Sequence, residues 1–276
     1  MNLIQRKHHH KIIGLLEQVP FNNLFALAVL KSYVDGWVYV DNEHAPNAAY
    51  IQHPYGMSLL AGYTDNQNFH KWLEQKMMNR DALRVKTEWL QVFPEKWHQV
   101  ISDLTDIKMI PSSEAEKTNL TTFVELQTRV NFRFSRKKYD NIDRPLLPPG
   151  FNIEAVNVAT FDSFEGIVVP KGFWNNSEEF LKGGAGFCVM EGDRAVATAF
   201  SAFLLDGFLE LGIETKASHR GRGLAWHCCA SLIDYSLRNG LEPVWACRLE
   251  NTASMHLAQK LGFEPTFRLP YYKLVV

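Results

Sequence analysis

The feature that most constrains the fold is the stretch 209–225, which asks for a strand, a tight glycine loop and a helix start in immediate succession. Leu209, Leu211 and Ile213 alternate with Glu210, Gly212 and Glu214, the period of two expected of a strand with one face on a core. Polar residues then close the strand. From Gly223 onward Ala225, Cys228, Cys229, Leu232 and Tyr235 recur at spacings of three and four, which predicts one buried helix face. Asn239-Gly240 ends that helix, glycine being free to take the left-handed C-terminal position. A loop so placed exposes successive backbone N–H groups at a helix N-terminus, and Gly221 and Gly223 carry no side chain to hold a ligand away. Arg220 and Arg222 add positive charge, suiting a pyrophosphate better than a carboxylate. In isolation the loop reads equally well as an ordinary turn with two solvated arginines, because short glycine motifs match by chance.

The rest of the chain supplies a context for the loop. With 276 residues and 46% hydrophobic content there is material for one large domain or two modest ones. Lysine plus arginine number 29 against 30 acidic residues, so no global basic field points to nucleic acid or an anionic membrane. Residues 21–30 are apolar but too short to span a bilayer, and the N-terminus lacks the order of a secretory signal. The expectation is a cytoplasmic protein. Cys188, Cys228, Cys229 and Cys247 show no metal or redox spacing and read as buried small apolar residues. His8-His9-His10 reads as a flexible, solvated run rather than a metal site, there being no nearby carboxylate or cysteine.

In the first half the pattern predicts a helix over 24–30, a short meander over 37–40, 48–51 and 56–61, a helix over 68–78, a strand over 86–92 and a helix over 96–104. No catalytic signature appears there. Between Asn131 and Gly150 the composition turns basic (Arg133, Arg136, Lys137, Lys138) and then proline-rich, which places a boundary between domains of 1–145 and 150–276. The basic run reads as a solvated face rather than a nucleic-acid strip. The second half predicts a strand over 151–156, helices over 159–164 and 174–181, and a meander over 187–190, 195–205 and 208–215 with Asp206-Gly207 as a hairpin turn. The central helix, a strand over 244–248, a helix over 252–261 and a strand over 266–275 complete it. Lys182-Gly183-Gly184-Ala185-Gly186 precedes strands and reads as a flexible connector rather than a phosphate loop.

Arg220-Gly221-Arg222-Gly223-Leu224-Ala225 resembles the Gln/Arg-x-x-Gly-x-Gly/Ala signature of the GNAT superfamily of acyl-CoA-dependent N-acetyltransferases. Asn251-Thr252-Ala253-Ser254, followed by Leu257 and Lys260-Leu261-Gly262-Phe263, resembles that family's second signature at the expected distance. The resemblance covers about residues 150–276, and the whole chain is similar to a bacterial subgroup with an extra N-terminal half that includes amino-polyol antibiotic resistance acetyltransferases. It implies an α/β (α+β) fold: a mixed, mostly antiparallel sheet flanked by helices, preceded by a smaller α+β N-terminal domain that shapes the acceptor cleft. It also implies acetyl-CoA as co-substrate, held by Ile213 and Thr215 on the strand, by Arg220, Gly221, Arg222, Gly223, Leu224 and Ala225 in the loop, and by Asn251.

Acyl transfer to an amine requires a base, since an alkyl ammonium titrates near ~10. Glu210 and Glu214 lie on one strand face about 13 Å apart, and the resemblance favours a glutamate on this strand, with Glu210 in the strand body and Glu214 in reserve. Members commonly place a tyrosine seven residues after the motif asparagine to protonate the departing thiolate. Here that position is Ala258, facing inward and leaving a space, so Ser254, Tyr271, Tyr272 or a residue of the first half is left to substitute. The expected partner is a small primary amine, with no nucleic acid or membrane, and a homodimer left open. The rival reading is a non-catalytic acyl-CoA sensor or scaffold that kept the cradle.

Overall fold

A computed structural model describes residues 1–104, 107–120 and 123–276. The chain forms two compact units: Met1–Arg129 with Arg248–Glu250 and Arg268–Val276, and Val130–Cys247 with Asn251–Phe267. The elements of the first are β1 (Asn2–Leu3), α1 (Ile13–Leu16), α2 (Leu24–Leu30), β2 (Trp37–Val40), β3 (Ala48–Gln52), β4 (Met57–Gly62), α3 (Gln67–Met77), β5 (Glu88–Phe93), α4 (Lys96–Asp103), β6 (Met109–Pro111) and α5 (Ser112–Ala115). The strands β7 (Val124–Phe134) and β13 (Phe263–Leu274) contribute residues to both units, as does β12 (Glu242–Arg248) through its last residue. The second unit contains α6 (Arg136–Asp140), β8 (Asn152–Ala155), α7 (Val158–Ser163), α8 (Ser177–Gly183), β9 (Gly186–Glu191), β10 (Arg194–Leu205), β11 (Phe208–Thr215), α9 (Leu224–Arg238), β12 (Glu242–Arg248) and α10 (Thr252–Lys260). The fold is the mixed, mostly antiparallel sheet with flanking helices that the sequence predicts. Among the described residues no helix is long and apolar enough to cross a membrane.

The same element order occurs twice. Strand, two helices, three-strand meander, helix, strand and helix run from β1 to α4 and again from β8 to α10. In each unit the meander is antiparallel, and its last strand pairs in parallel with the strand that follows the next helix, β4 with β5 and β11 with β12. A right-handed helical crossover is the standard way to join parallel neighbours.

In the first unit α3 and α4 cover one sheet face, burying Phe69, Leu73, Trp97 and Ile101 against Tyr50, Leu60, Leu90, Val92 and Tyr272. Asn66 caps α3 by accepting from the Phe69 N–H at 3.1 Å, and Trp97 Nε1 donates to Gly62 O at 3.0 Å. In the second unit α9 packs on β9, β10 and β11, while Phe173 stands edge-on to Phe200 and Phe203 of β10 at 5.5 and 5.6 Å.

Three expectations are corrected. The central strand is not one-faced: Leu209, Glu210, Leu211 and Gly212 are all buried, with Phe200 lying over the glycine, where a Cβ would meet its ring at 2.4 Å. The helix after the loop buries Trp226, His227, Ala230, Ile233 and Ser236 as well, while Tyr235 and Ala225 are only half-buried. The histidine run is not a solvated tail. It forms a 3-10 helix over Arg6–Lys11 in which His9 is buried with Nδ1 3.3 Å from Val29 O. The basic run makes local ion pairs, Arg133 and Lys138 with Glu264 and Arg136 with Asp140. All four cysteines are free and buried, and burial raises the Cys188, Cys228 and Cys229 thiols, which makes them poor nucleophiles.

Candidate functional site

Parallel pairing distinguishes the two units. In the first, β4 and β5 pair from Met57 with Trp89 through to Ala61 with Phe93, one residue short of the end of β4. In the second, β11 pairs with β12 only from Phe208 with Glu242 to Glu210 with Val244, although β11 continues to Thr215. Residues 211–215 keep their β10 partners and have no ladder with β12. The two parallel strands therefore open toward their C-terminal ends. A register shift in β10 between Ser201 and Phe203 lies opposite Leu211 and Glu210, the level at which the opening starts. Such bulges bend a strand and re-aim side chains.

The glycine loop lies at the end of the opened strand. Gly221 and Gly223 both sit at φ +76°, and a Cβ on either would meet nothing within 4 Å. Glycine is thus required by the left-handed backbone, and the space in front of it is open. Gly223 is the N-cap of α9 and no side chain caps that helix. By contrast α6, α7, α8 and α10 of the same unit are capped by Ser135, Asn157, Asn176 and Asn251. An uncapped helix start with an open face leaves its first N–H groups, those of Leu224 and Ala225 among them, to an outside acceptor. These residues fit a bound pyrophosphate.

The charged side chains are tied to the scaffold. Arg220 Nε donates to Thr215 O at 3.1 Å and Nη2 to Glu214 Oε1 at 3.3 Å. Arg222 lies over the Phe151 ring, 4.7 Å from its centroid, and His219 meets the same ring edge-on while its Nε2 lies 3.2 Å from Glu191. Sequence reading missed Phe151 and His219; an aromatic residue four strands upstream of the loop carries no pattern that marks it.

Glu214 and Glu210 occupy different surroundings. Glu214 Oε2 accepts from the Ile167 and Val168 N–H groups at 3.0 and 3.1 Å, and Oε1 from the Thr215 N–H at 3.2 Å. Gly166, at φ +146°, permits this approach, since a Cβ there would meet Glu214 Cγ at 2.6 Å. Glu210 is 5% exposed and stands opposite Phe203. Ile213 and Thr215 are half-buried on the open stretch.

Asn251 accepts from the Ser254 N–H at 3.1 Å, and Ser254 Oγ accepts from Trp245 Nε1 at 3.2 Å. The motif asparagine is thus a helix cap. Ala258 is fully buried, so its side chain borders packed protein and not the space expected. Tyr272 Oη lies 2.7 Å from His98 Nδ1, and burial pushes its phenol up to about 12.

Comparison with known proteins places this geometry. The GNAT acetyltransferase family matches residues 15–272, well into the first half. A Bacillus subtilis (strain 168) protein described as an uncharacterised N-acetyltransferase, YdfB, is 24% identical over 251 residues, covering 90% of this chain and 89% of that one. A crystal structure of a GCN5-related N-acetyltransferase-like protein from Streptococcus suis 89/1591 shares the fold, with TM-score 0.67, 23% identity and coverage of 97% and 98%. A tandem GNAT protein from the clavulanic acid biosynthesis pathway, 8% identical, also matches in fold with TM-score 0.61 and coverage of 98% and 96%. The opened strand pair, the uncapped glycine loop and a family match along nearly the whole chain agree: the chain belongs to the GNAT acetyltransferase family of acyl-CoA-dependent acetyltransferases.

Proposed function

We propose that the chain transfers an acetyl group from acetyl-CoA to a primary amine of a small molecule, and that the second unit alone holds the CoA. The observation that carries the reading is the opening of β11 from β12 at the strand end that leads into the uncapped start of α9. Acetyl-CoA supplies an acyl thioester activated toward amines. Backbone groups of 211–215 on the side facing away from β10 align its amide-bearing arm, and the N–H groups of Gly221, Gly223, Leu224 and Ala225 hold its phosphates. Arg220 and Arg222 add charge. Glu210 takes the proton of the ammonium, directly or through water, so that the nitrogen lone pair forms the new N–C bond as the C–S bond breaks. Glu214, engaged by three N–H groups and a guanidinium, positions the loop and Arg220. Near pKa 8.5 a thiol leaves tolerably as thiolate, and Ser254, already accepting from Trp245, still has a hydroxyl proton to donate.

In the first unit the equivalent strand pair is closed along its length, and Asn66 caps the helix that follows. Calorimetric titration is therefore expected to give one CoA per chain. Gly223→Val should weaken that binding at least tenfold, about 1.4 kcal/mol, by forcing a β-branched residue onto the cradle. Two CoA per chain, or unchanged affinity in a folded Gly223→Val protein, would contradict the assignment.

A further inference from the structure

The histidine run belongs to a feature that acetyl transfer does not use. The chain before α1 is fastened to the first unit at three levels: Leu3 pairs with Tyr39 of β2, the Ile4 N–H donates to Val38 O at 3.0 Å, and the 3-10 helix that follows seats His9 against Val29 O. Residues 3–9 and 34–37 border a cavity of about 300 Å³ that lies wholly within this unit. That volume is at the lower end of ligand pockets and suits a small molecule. Leu3, Arg6, Asp35 and Trp37 on its border are exposed, so the cavity opens to solvent.

Its lining divides by chemistry. Leu3, Ile4, Val34 and Trp37 supply apolar surface. Ile4 and Val34 are buried, whereas Leu3 is 54% and Trp37 40% exposed, so an apolar body in the cavity would cover hydrophobic side chains that face water. The charges are those of Arg6 and Asp35. Arg6 Nη2 lies 3.1 Å from Asp35 Oδ1 and donates to Ser32 O at 3.2 Å. Among the described residues these contacts use one guanidinium nitrogen and one carboxylate oxygen, which leaves Nε, Nη1 and Oδ2 to incoming groups. With side chains 51% and 82% exposed, such a pair is worth little by itself, and turning each member toward a ligand charge forfeits little. His9 is the remaining titratable group of the lining. Burial pushes its imidazole below the ordinary value, so it adds no charge at neutral pH. One cation, one anion and an apolar wall together complement a molecule with one carboxylate, one ammonium and an apolar body.

We propose that this cavity binds a free apolar amino acid as its zwitterion, with the carboxylate on Arg6, the ammonium on Asp35 and the side chain against Leu3, Ile4, Val34 and Trp37. The proposal goes beyond the acetyl-transfer reading and stands without it, because its readout is binding at residues outside the cradle.

The test is calorimetric titration of the full chain, without acetyl-CoA, with L-phenylalanine as probe. Three analogues each lack one feature: 3-phenylpropanoate the ammonium, phenethylamine the carboxylate and glycine the apolar body. Phenylalanine should bind at least tenfold more tightly than any of them. Arg6→Gln and Asp35→Asn should each weaken its binding at least tenfold, and because both side chains are exposed both variants should fold. CoA affinity should be unchanged in both, which separates this site from the cradle. Undetectable phenylalanine binding, an analogue that binds as tightly, or binding that survives in Arg6→Gln or Asp35→Asn would overturn the proposal. Survival in both variants would assign the bound amine to the acetyl acceptor's site instead.

Discussion

Glu210→Gln is expected to lower acetyl transfer by ~10²-fold or more at neutral pH while leaving CoA affinity nearly unchanged. The substitution keeps size and removes the proton acceptor at a position that is 5% exposed and opposite Phe203. At neutral pH an alkyl amine with pKa near ~10 is almost entirely ammonium, so the reaction depends on proton removal. As pH rises toward that value free amine accumulates, and the deficit of the variant should shrink. Glu214→Gln should behave differently. It weakens the charged hold on Arg220 and on residues 167 and 168, so its loss should appear in CoA affinity and should not be relieved at high pH. Steady-state rates across a pH series, with CoA binding measured alongside, check both. A fully active Glu210→Gln enzyme beside an inactive Glu214→Gln enzyme would reverse the assignment.

The largest stability effect is expected far from the cradle. Lys76 and Glu88 form an ion pair at 2.8 Å in the interior of the first unit, with side chains 2% and 0% exposed. Lys76 Nζ also donates to Gln52 Oε1 and Leu83 O, each at 3.1 Å. Glu88 accepts further from Tyr50 Oη at 2.7 Å and Gln52 Nε2 at 2.9 Å. A satisfied buried pair is weak evidence of net stabilisation, but removing one partner strands the other's charge. Lys76→Met should therefore cost about 3 to 5 kcal/mol, lowering the melting temperature by roughly 10 °C for a unit of this size. Adding Glu88→Leu to Lys76→Met removes the stranded charge and should recover much of the loss. Denaturant titration of the single and double variants checks this, and an additive double variant would show that the two side chains do not act as a pair.

These two sites mark what the sequence makes legible. The cradle can be read because its chemistry depends on residue type at fixed spacing: glycine takes the left-handed φ of Gly221 and Gly223 at least steric cost and leaves the space in front open, and the strand before it and the helix after it keep their own periods. Element order is legible over 24–104 and 151–275 for the same reason, helped by turn residues such as Asp206-Gly207, where Asp206 takes φ 54° and Gly207 φ 83°, whereas β7 (Val124–Phe134) runs into a stretch read only for its basic and proline-rich composition. Lys76 and Glu88 were not legible. A lysine in a helix and a glutamate at a strand start read as solvated residues, and only the sheet brings them within bonding distance. His9 was misread likewise, because its burial depends on residues twenty positions away. The capping role of Asn251 and the several partners of Glu214 were hidden by their fit to motif roles. The opening between β11 and β12 has no local signature, since pairing is a property of two strands.

Thiol release on mixing the purified chain with acetyl-CoA and a panel of small primary amines, with acetyl-CoA affinity measured in the same preparation, tests the central claim most directly. Acetyl transfer predicts release that depends on the amine, saturates with it and increases with pH as free amine accumulates. Tight acetyl-CoA binding with no amine-dependent release would contradict that claim and describe a protein that kept the cradle but not the catalysis.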